Sequence, residues 1–345
     1  MKEIKIGTKY VGKGHPVYII AEIGSNHDGS FEKSQKMIDI ALKCGVDAVK
    51  FQFFKADTIA ANTSDKIAIL ENGKSIHQFY NEVETPYEWI PLLNDYCNKK
   101  GITFLATPFD IESAQILYES GVQAFKIASF EIVDYPLIEF IASKKVPIIL
   151  STGMASLGDI EEALKIIKKY HSEYILLHCG INYPLSFTDV NLKAIKTLKR
   201  AFDCPVGYSD HTEGLVVPIL GVGFGMDIIE KHFTLSKDEK GPDHPFAIEP
   251  ESLKLMVNSI RNAEAALGSS AKAKVDSETI HYKRGRRSLF ASRDLDEGTE
   301  ITMEDLAILR PGIGLHPGNI NIILGKKVKK FVKKETPITW DLFLS

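Results

Sequence analysis

The chain has 345 residues, of which 44% are hydrophobic and 25% charged, and its formal net charge is −3. This composition is typical of a soluble globular protein, and so small a charge gives no reason to expect nucleic acid or a membrane as a partner. No run approaches the length of a membrane span, and the four cysteines have neither C-x-x-C nor tight spacing, which argues against a zinc knuckle or a disulfide scaffold. We expect a cytoplasmic protein with reduced thiols.

Apolar runs alternate with amphipathic stretches after a short predicted hairpin at Ile4–Ile6 and Lys9–Gly12. Strands are predicted at Val17–Gly24, Ala48–Phe54, Thr103–Phe109, Ala124–Ser129, Pro147–Thr152, Tyr174–Cys179, Val206–Ser209 and Asp227–His232. Helices are predicted at Glu32–Cys44, Pro86–Lys99, Ile111–Glu119, Pro136–Ser143, Gly158–Tyr170, Val190–Ala201, Gly214–Phe224 and Pro250–Leu267.

Such strand–helix units indicate parallel strands that are buried on both faces. Eight units is the number that closes a (β/α)₈, or TIM, barrel. A doubly wound open sheet is the alternative, but Gly24-Ser25-Asn26-His27 after the first strand is not the G-x-G-x-x-G expected there. The fold class is therefore predicted as an α/β TIM barrel over residues 1–268.

The end of the chain has a different texture. Residues 269–285 are polar and are predicted as a linker, and residues 286–345 as a small β-rich domain. Its strands are predicted at Ser288–Ala291, Leu306–Leu309, Lys327–Phe331 and Ile338–Leu342. From Lys283 onward 12 Lys/Arg exceed 8 Asp/Glu, whereas the earlier residues carry 30 against 37. So small a domain buries little apolar surface alone, so we expect it to pack on the barrel or on another subunit.

Polar residues stand at the carboxyl end of every predicted barrel strand, where parallel barrels build their active sites. They are Glu22, Lys50, Gln52, Thr107, Lys126, Ser129, Glu131, Ser151, Thr152, Asn182, Tyr183, Ser209, Asp210, His211, Glu230 and His232. Because buried charge is costly unless it is paired or used, this convergence predicts a catalytic mouth.

Two histidines stand at the ends of the last two strands. Side chains alternate along a strand, so Ser209 and His211 share one face, as do Glu230 and His232. Two neutral imidazoles with nearby oxygen donors suit a divalent metal ion with open positions. The alternative is two hydrogen-bonded polar histidines at strand ends.

Two lysines, Lys50 and Lys126, are predicted in the same mouth. Together with hydroxyl groups they suit a compact, doubly charged anion, such as a phosphate beside a carboxylate. The hydroxyl groups belong to Thr107, Ser129, Ser151 and Ser209. One alternative is a salt bridge from each lysine to a neighbouring glutamate, and another is a lysine that forms a Schiff base. Asp243 and Glu131 are predicted to bind ligand hydroxyls, with a plain turn and a surface loop as alternatives.

A series of motifs in fixed order matches a known family. They are Ala21–His27, Lys50–Gln52, Thr107–Phe109, Lys126–Glu131, Ser151–Met154, Ser209–Thr212, Glu230–Thr234 and Gly241–His244, with Arg286–Leu289 and Arg310–Gly312 in the tail. The chain resembles, nearly end to end, the sialic acid (N-acetylneuraminate) synthases and their legionaminate and pseudaminate relatives. Its tail resembles their antifreeze-like (SAF) domain.

The resemblance implies a transferase that condenses phosphoenolpyruvate with a 2-acetamido hexose, giving a nonulosonic acid and phosphate. The sugar would be N-acetylmannosamine or a diacetamido relative. Phosphoenolpyruvate would be held by Lys50, Thr107, Lys126, Ser129, Ser151, Ser209 and Asn182. The amino sugar would contact Gln52, Phe109, Glu131, Tyr183, Asp243 and Arg310.

The same resemblance implies that His211 and His232 bind the metal, most often Mn²⁺, with Mg²⁺ or Co²⁺ as alternatives. Glu22 would lie near the metal-bound water, and these three residues are predicted as catalytic. A domain-swapped homodimer is implied, in which Arg310 of one subunit reaches the other subunit's acetamido group.

Two departures from the family pattern matter. In Cys179–Ser186 the family's polar position aligns with Ile181, so Asn182 comes one residue late. Other segments resemble different branches: Thr85–Trp89 and Gly314–Pro317 the pseudaminate branch, Thr107–Asp110 and Gly241–His244 the neuraminate and legionaminate branches. The sugar is therefore left open. A non-enzymatic alternative, an ice- or glycan-binding protein built on the tail, lacks the flat repeating Thr or Ala face such binding needs.

Overall fold

Eight parallel strands close into a barrel within the residues that the structure, a computed structural model, describes (2–70 and 73–343). Two antiparallel strands, β1 (Glu3–Ile6) and β2 (Lys9–Gly12), form the predicted hairpin before them. The barrel strands are β3 (Tyr18–Gly24), β4 (Ala48–Phe53), β5 (Thr103–Pro108), β6 (Phe125–Ile127), β7 (Ile148–Ser151), β8 (Tyr174–Cys179), β9 (Val206–Asp210) and β10 (Ile228–His232). Each pairs with its neighbour in sequence, and β10 closes on β3. The predicted barrel is confirmed.

Helices follow the strands and form the outer layer. In chain order they are α1 (Phe31–Cys44), α2 (Ala56–Ile59), α3 (Ile76–Glu82), α4 (Trp89–Lys100), α5 (Ile111–Glu119), α6 (Tyr135–Ser143), α7 (Leu157–Lys168), α8 (Ala194–Phe202), α9 (Val216–Gly223), α10 (Pro250–Leu267), α11 (Thr279–Gly285) and α12 (Ile320–Ile323). No helix of the described residues is long and apolar enough to cross a membrane.

Local sequence explains where these helices begin and end. Ser156 and Asp159 form a reciprocal capping box at the start of α7, and Gly45 ends α1 in the left-handed region at φ 88°. Helix α8 begins at Ala194 rather than at the predicted Val190, because Asn191 has a φ of 50° and interrupts the helical backbone.

The inside of the barrel has an apolar core that the amino-terminal hairpin closes at one end. Ile4, Ile6 and Val11 are buried with the inward side chains of the barrel strands, such as Ile20 and Leu105. The opposite end, at the carboxyl ends of the strands, is left to polar residues. The hairpin thus completes the core without occupying the mouth.

Removing one methyl group from this core is expected to lower stability. Ile6 is fully buried, so Ile6→Val should lower the free energy of unfolding by about 1 kcal/mol. Denaturant unfolding measures the change, with Lys5→Ala at the exposed neighbouring position as the control. An Ile6→Val protein as stable as the parent would contradict the role of the hairpin in the core.

Strands β9 and β10 approach each other unusually closely. A Cβ atom on Gly207 would lie 1.9 Å from the carbonyl oxygen of Ile228, so this position admits only glycine. The contact lies two residues before Ser209 on β9. It fixes the spacing of the two strands that end in the histidines.

A second unit, Ser269–Ser345, follows the barrel unit Met1–Gly268. Strands β11 (Ser288–Ala291) and β12 (Leu306–Leu309) pair antiparallel, as predicted, and the unit has its own core around Leu289 and Ile301. Residues 269–285, predicted as a linker, include the short helix α11.

Two strands predicted in the second unit are wrong. Lys327–Phe331 makes only isolated bridges, because Val328 exchanges backbone hydrogen bonds with Gly298 and Thr299 in a turn. Ile338–Leu342 contains a single 3₁₀ turn, Trp340–Leu342, instead of a strand.

Candidate active site at the barrel mouth

A cavity at the carboxyl ends of the strands brings most of the predicted site residues together. Those that line it are Glu22, Lys50, Gln52, Thr107, Phe109, Lys126, Ser129, Ser151, Tyr183, Ser209, His211 and His232. Ala128, Phe130, Cys179 and Glu230, which the sequence did not assign a role, line it as well. Asn182, Glu131, Asp243 and Arg310 are not among the lining residues.

The two lysines lie in a buried network with two carboxylates. Lys50 Nζ is 2.8 Å from Glu22 Oε2 and 3.6 Å from Glu230 Oε2, and Lys126 Nζ is 3.3 Å from Glu230 Oε1. Burial opposes the ammonium form of Lys50, but the two carboxylates outweigh it and raise its pKa. Both sequence interpretations meet here, since the lysines form salt bridges inside the barrel and also line its mouth.

Glu230 is the functional residue that the sequence left without a role. Its Oε1 also accepts a hydrogen bond from Ser209 Oγ at 2.9 Å. Burial would raise the pKa of Glu230, but Lys126 and Lys50 outweigh it and hold that pKa below its ordinary value. The alternation that places Glu230 on the same face as His232 is the signal that could have found it. An anion entering the mouth must compete with this carboxylate for the lysines.

The two imidazoles face each other across the mouth, with ring centroids 5.4 Å apart. His211 Nδ1 lies 2.6 Å from the carbonyl oxygen of Gly180, to which it can donate, and this leaves Nε2 free as an acceptor. Burial and the neighbouring His232 lower the pKa of His211 to about 3, so the ring is neutral near pH 7. The ring of Tyr183 lies 4.1 Å from that of His211.

His232 carries a nitrogen that lacks a hydrogen bond. Its Nδ1 is buried and makes none within the described residues, although Asp243 Oδ2 lies 3.2 Å away. Burial disfavours the charged ring, but Asp243 outweighs it and raises the pKa of His232. A neutral imidazole, an orphaned ring nitrogen and a carboxylate suit a borderline divalent cation. These residues therefore fit the predicted metal.

A second group within the described residues could hold a metal ion: ligand atoms of Asp28, Glu239 and His244 lie within 4.8 Å of one another. The ammonium of Lys33 pairs with both carboxylates. His244 is fully buried, with its ring nitrogens near Thr234 Oγ1 at 2.6 Å and Asp28 Oδ1 at 3.0 Å. With its charges already compensated, the group serves to anchor the loop that carries Asp243.

Asp243 reaches the mouth past a glycine. A Cβ atom on Gly24 would lie 2.9 Å from Asp243 Oδ2, and Gly24 has a φ of 54°. The register of β3 and β4 shifts at this point, between Glu22 and Gly24. Gln52 Nε2 donates to Glu22 Oε1 at 2.7 Å. Asp243 and Gln52 thus lie on the side of the mouth where β3 meets β4.

The loop after β8 departs from expectation. Asn182 is exposed, whereas Ile181 lies against the mouth: a Cβ atom on Gly153 would be 2.7 Å from Ile181 Cγ2 and 2.8 Å from Ser129 Oγ. Arg310 is exposed in the second unit, where its Nε donates to the carbonyl oxygen of Gly285 at 2.8 Å.

Glu131 lies close to the mouth with a carboxyl oxygen, Oε2, that is buried and has no hydrogen-bond partner among the described residues. Burial raises its pKa from 4.5 to about 7. Between these values the folded protein holds a proton that the unfolded chain has released, so this residue makes stability fall as pH rises.

Glu131→Gln is therefore expected to gain stability relative to the parent as pH rises from about 4.5 to about 7, because the amide does not titrate. Denaturant midpoints measured across this range test the prediction. Glu161→Gln, at an exposed position on α7, is the control. A difference between Glu131→Gln and the parent that does not change with pH would contradict the raised pKa.

A barrel whose strand ends gather ammonium, carboxylate, hydroxyl and imidazole groups in one cavity has the architecture of a TIM-barrel enzyme. The NeuB family model matches residues 37–272, and the SAF domain model matches residues 286–344. The chain belongs to the NeuB family and carries a SAF domain, as the sequence resemblance predicts.

Several relatives are similar over nearly their whole length. N,N'-diacetyllegionaminic acid synthase of Legionella pneumophila is 42% identical over 344 residues, covering 97% of both proteins. Pseudaminic acid synthase of Campylobacter jejuni is 36% identical over 322 residues, covering 92% of this chain and 94% of the relative. The crystal structure of N-acetylneuraminic acid synthetase from Leptospira borgpetersenii, in complex with citrate, has a TM-score of 0.73 and 36% identity, covering 82% of this chain and 96% of that one.

Proposed function

We propose that this protein is a phosphoenolpyruvate-dependent transferase that condenses phosphoenolpyruvate with an acetamido hexose. The products are a nonulosonic acid and inorganic phosphate. The observation that carries the proposal is one cavity, in a NeuB-family barrel, that holds two lysines beside two imidazoles. The sialic-type synthases among its relatives support the same reaction.

Phosphoenolpyruvate binds at the lysine end of the mouth in this proposal. Lys50 and Lys126 neutralise its phosphate and carboxylate, and displacement of Glu230 from them provides the countercharge exchange. Hydroxyl groups of Thr107, Ser129, Ser151 and Ser209 complete the anion site. We keep Asn182 as a proposed ligand only on condition that its loop rearranges, because its side chain is exposed.

The amino sugar binds at the imidazole end, against Gln52, Phe109, Glu131, Tyr183 and Asp243. C3 of phosphoenolpyruvate forms a bond to the aldehyde carbon of the open-chain sugar. Water then adds at C2, and the bond from C2 to the phosphate-bearing oxygen breaks to release phosphate. The residues act chiefly by positioning the two reactants and by stabilising the charge that develops.

His211 and His232 would hold the divalent metal, for which we propose Mn²⁺, with Mg²⁺ or Co²⁺ as alternatives. When bound, the ion supplies Lewis-acid polarisation of the sugar's carbonyl oxygen. Glu22 lies beside this position and is held by Lys50 and Gln52. This arrangement lets Glu22 accept or return a proton of the attacking water.

A domain-swapped homodimer is part of the proposal. Arg310 of the SAF domain would complete the partner's sugar site, and its guanidinium would suit an acetamido oxygen. The domain division at residues 1–268, 269–285 and 286–345 belongs to the same proposal.

A Schiff-base aldolase that uses Lys126 or Lys50 is the rival mechanism. Ion pairs with Glu22 and Glu230 hold the Lys50 ammonium, which is a poor nucleophile, so the geometry disfavours it. Borohydride reduction in the presence of substrate separates the mechanisms. A trapped covalent adduct would support the aldolase, whereas chelator inhibition without trapping supports the proposed transferase.

A single assay panel tests the proposed function. Phosphate release from phosphoenolpyruvate is measured with N-acetylmannosamine and with 2,4-diacetamido hexoses, each with and without Mn²⁺. We expect sugar-dependent and metal-dependent release with at least one sugar. Absence of release with every sugar and metal would overturn the proposal.

A further inference from the structure

The long insertion between β4 and α4 places a helix above the mouth. Helix α3 begins at Ser75, whose hydroxyl accepts a hydrogen bond from the Gln78 backbone while the Gln78 side chain accepts one from the backbone of Ser75. The end of the insertion is closed by Glu84, which accepts from the backbone nitrogen of Ala56. The helix therefore has a fixed start and a fixed return to the barrel.

An aromatic series connects this helix to the predicted sugar site. The ring of Tyr80 meets that of Phe54 edge to face at 5.2 Å, and Phe54 meets Phe109 in the same way at 5.4 Å. Phe109 lines the mouth cavity. Tyr80 is thus held next to the site by packing that its hydroxyl group does not share.

Two polar groups in this region lack partners in the protein. Glu131 Oε2 is buried without a hydrogen bond, and the charge of Glu131, after burial, contributes to raising the pKa of Tyr80, which shows that the two side chains are near each other. The Tyr80 hydroxyl makes no hydrogen bond within the described residues. An unsatisfied buried polar group costs about 1–3 kcal/mol, so such groups are typically completed by a ligand.

We infer that Tyr80 is a specificity-determining residue for the amino sugar, and that its hydroxyl acts with the Glu131 carboxyl group to bind one polar substituent of the sugar ring, a hydroxyl or an acetamido group. The inference rests on the proposed function. It assigns a ligand-binding role to the insertion, which no motif of the barrel strands covers.

Tyr80→Phe tests the inference because it removes only the hydroxyl group and keeps the aromatic series. Steady-state kinetics are measured with the sugar that the parent protein uses best, varying sugar and phosphoenolpyruvate separately. A neutral hydrogen bond contributes about 1 kcal/mol, so we expect KM for the sugar to rise roughly fivefold. KM for phosphoenolpyruvate should not change. Tyr118→Phe, at an exposed tyrosine of α5 that lies under Lys144, is the matched control.

The outcomes separate the inference from the function on which it rests. If the parent protein turns over no sugar with phosphoenolpyruvate, the proposed function fails and the inference with it. If the parent is active but Tyr80→Phe leaves KM for the sugar unchanged, or raises both KM values equally, the inference alone is overturned. A change in the ratio of kcat/KM between mono- and diacetamido sugars would support it directly.

Discussion

Replacing His211 or His232 with alanine is expected to lower kcat/KM by about 10³ or more and to remove the dependence on added Mn²⁺. The physical reason is that a metal ion contributes several kcal/mol of charge stabilisation in such sites, and each imidazole would be one of only two nitrogen ligands. The 5.4 Å separation of the ring centroids lets one ion contact both rings. Phosphate release and bound metal content, measured on the same protein samples, check the result.

His171→Ala provides the control, because His171 lies in the loop before β8, at the amino ends of the strands and away from the mouth. It should bind metal and release phosphate like the parent. A His211→Ala protein with full activity, or with undiminished metal content, would contradict the assignment of the metal to this pair. Metal retained after both histidines are replaced would instead direct attention to Asp28, Glu239 and His244.

Lys231→Met is expected to destabilise the barrel by about 3–5 kcal/mol, since it leaves a buried carboxylate without its partner. Lys231 and Asp210 are fully buried, and their Nζ and Oδ2 atoms are 2.6 Å apart. Lys231 Nζ also donates to the carbonyl oxygen of Thr212 at 2.7 Å. Methionine keeps the length of the side chain, so the change isolates the charge. Denaturant unfolding measures it.

The same pair holds the backbone on either side of the imidazoles, since Asp210 precedes His211 and Lys231 precedes His232. Lys231→Met should therefore also weaken metal binding. Lys169→Met is the matched control: Lys169 pairs at 3.9 Å with the exposed Glu139, and an exposed pair contributes at most about 1 kcal/mol. Equal losses of stability in the two variants would show that burial of the Lys231 pair has no special consequence.

The barrel could be predicted from sequence because each of its strands is a short apolar run followed by an amphipathic helix. β8, for example, was predicted at Tyr174–Cys179, where the structure has it. The SAF domain was harder, since Lys327–Phe331 has the composition of a strand but gives its hydrogen bonds to a turn. Such a choice depends on distant chain segments, which local sequence does not encode.

The candidate site could be predicted as a collection of residues but not as a network. Strand alternation placed Lys50, Lys126 and Glu230 at one mouth, yet the sequence could not show that one carboxylate joins both lysines, because Lys126 and Glu230 are 104 residues apart. Tyr80 was missed for a different reason. It lies on a short helix in an insertion, where no periodic pattern marks which side faces the mouth.

The glycine contact between β9 and β10 has a consequence for anyone who wishes to redesign this protein. With no room for a methyl group at Gly207, neither strand can slide past the other, so the imidazole pair rides on an undeformable base. Grafting a foreign segment in place of residues 55–84 would then retool sugar choice while leaving the chemistry at the strand ends intact. Variation is best sought in the loops, and the floor beneath them is best left untouched.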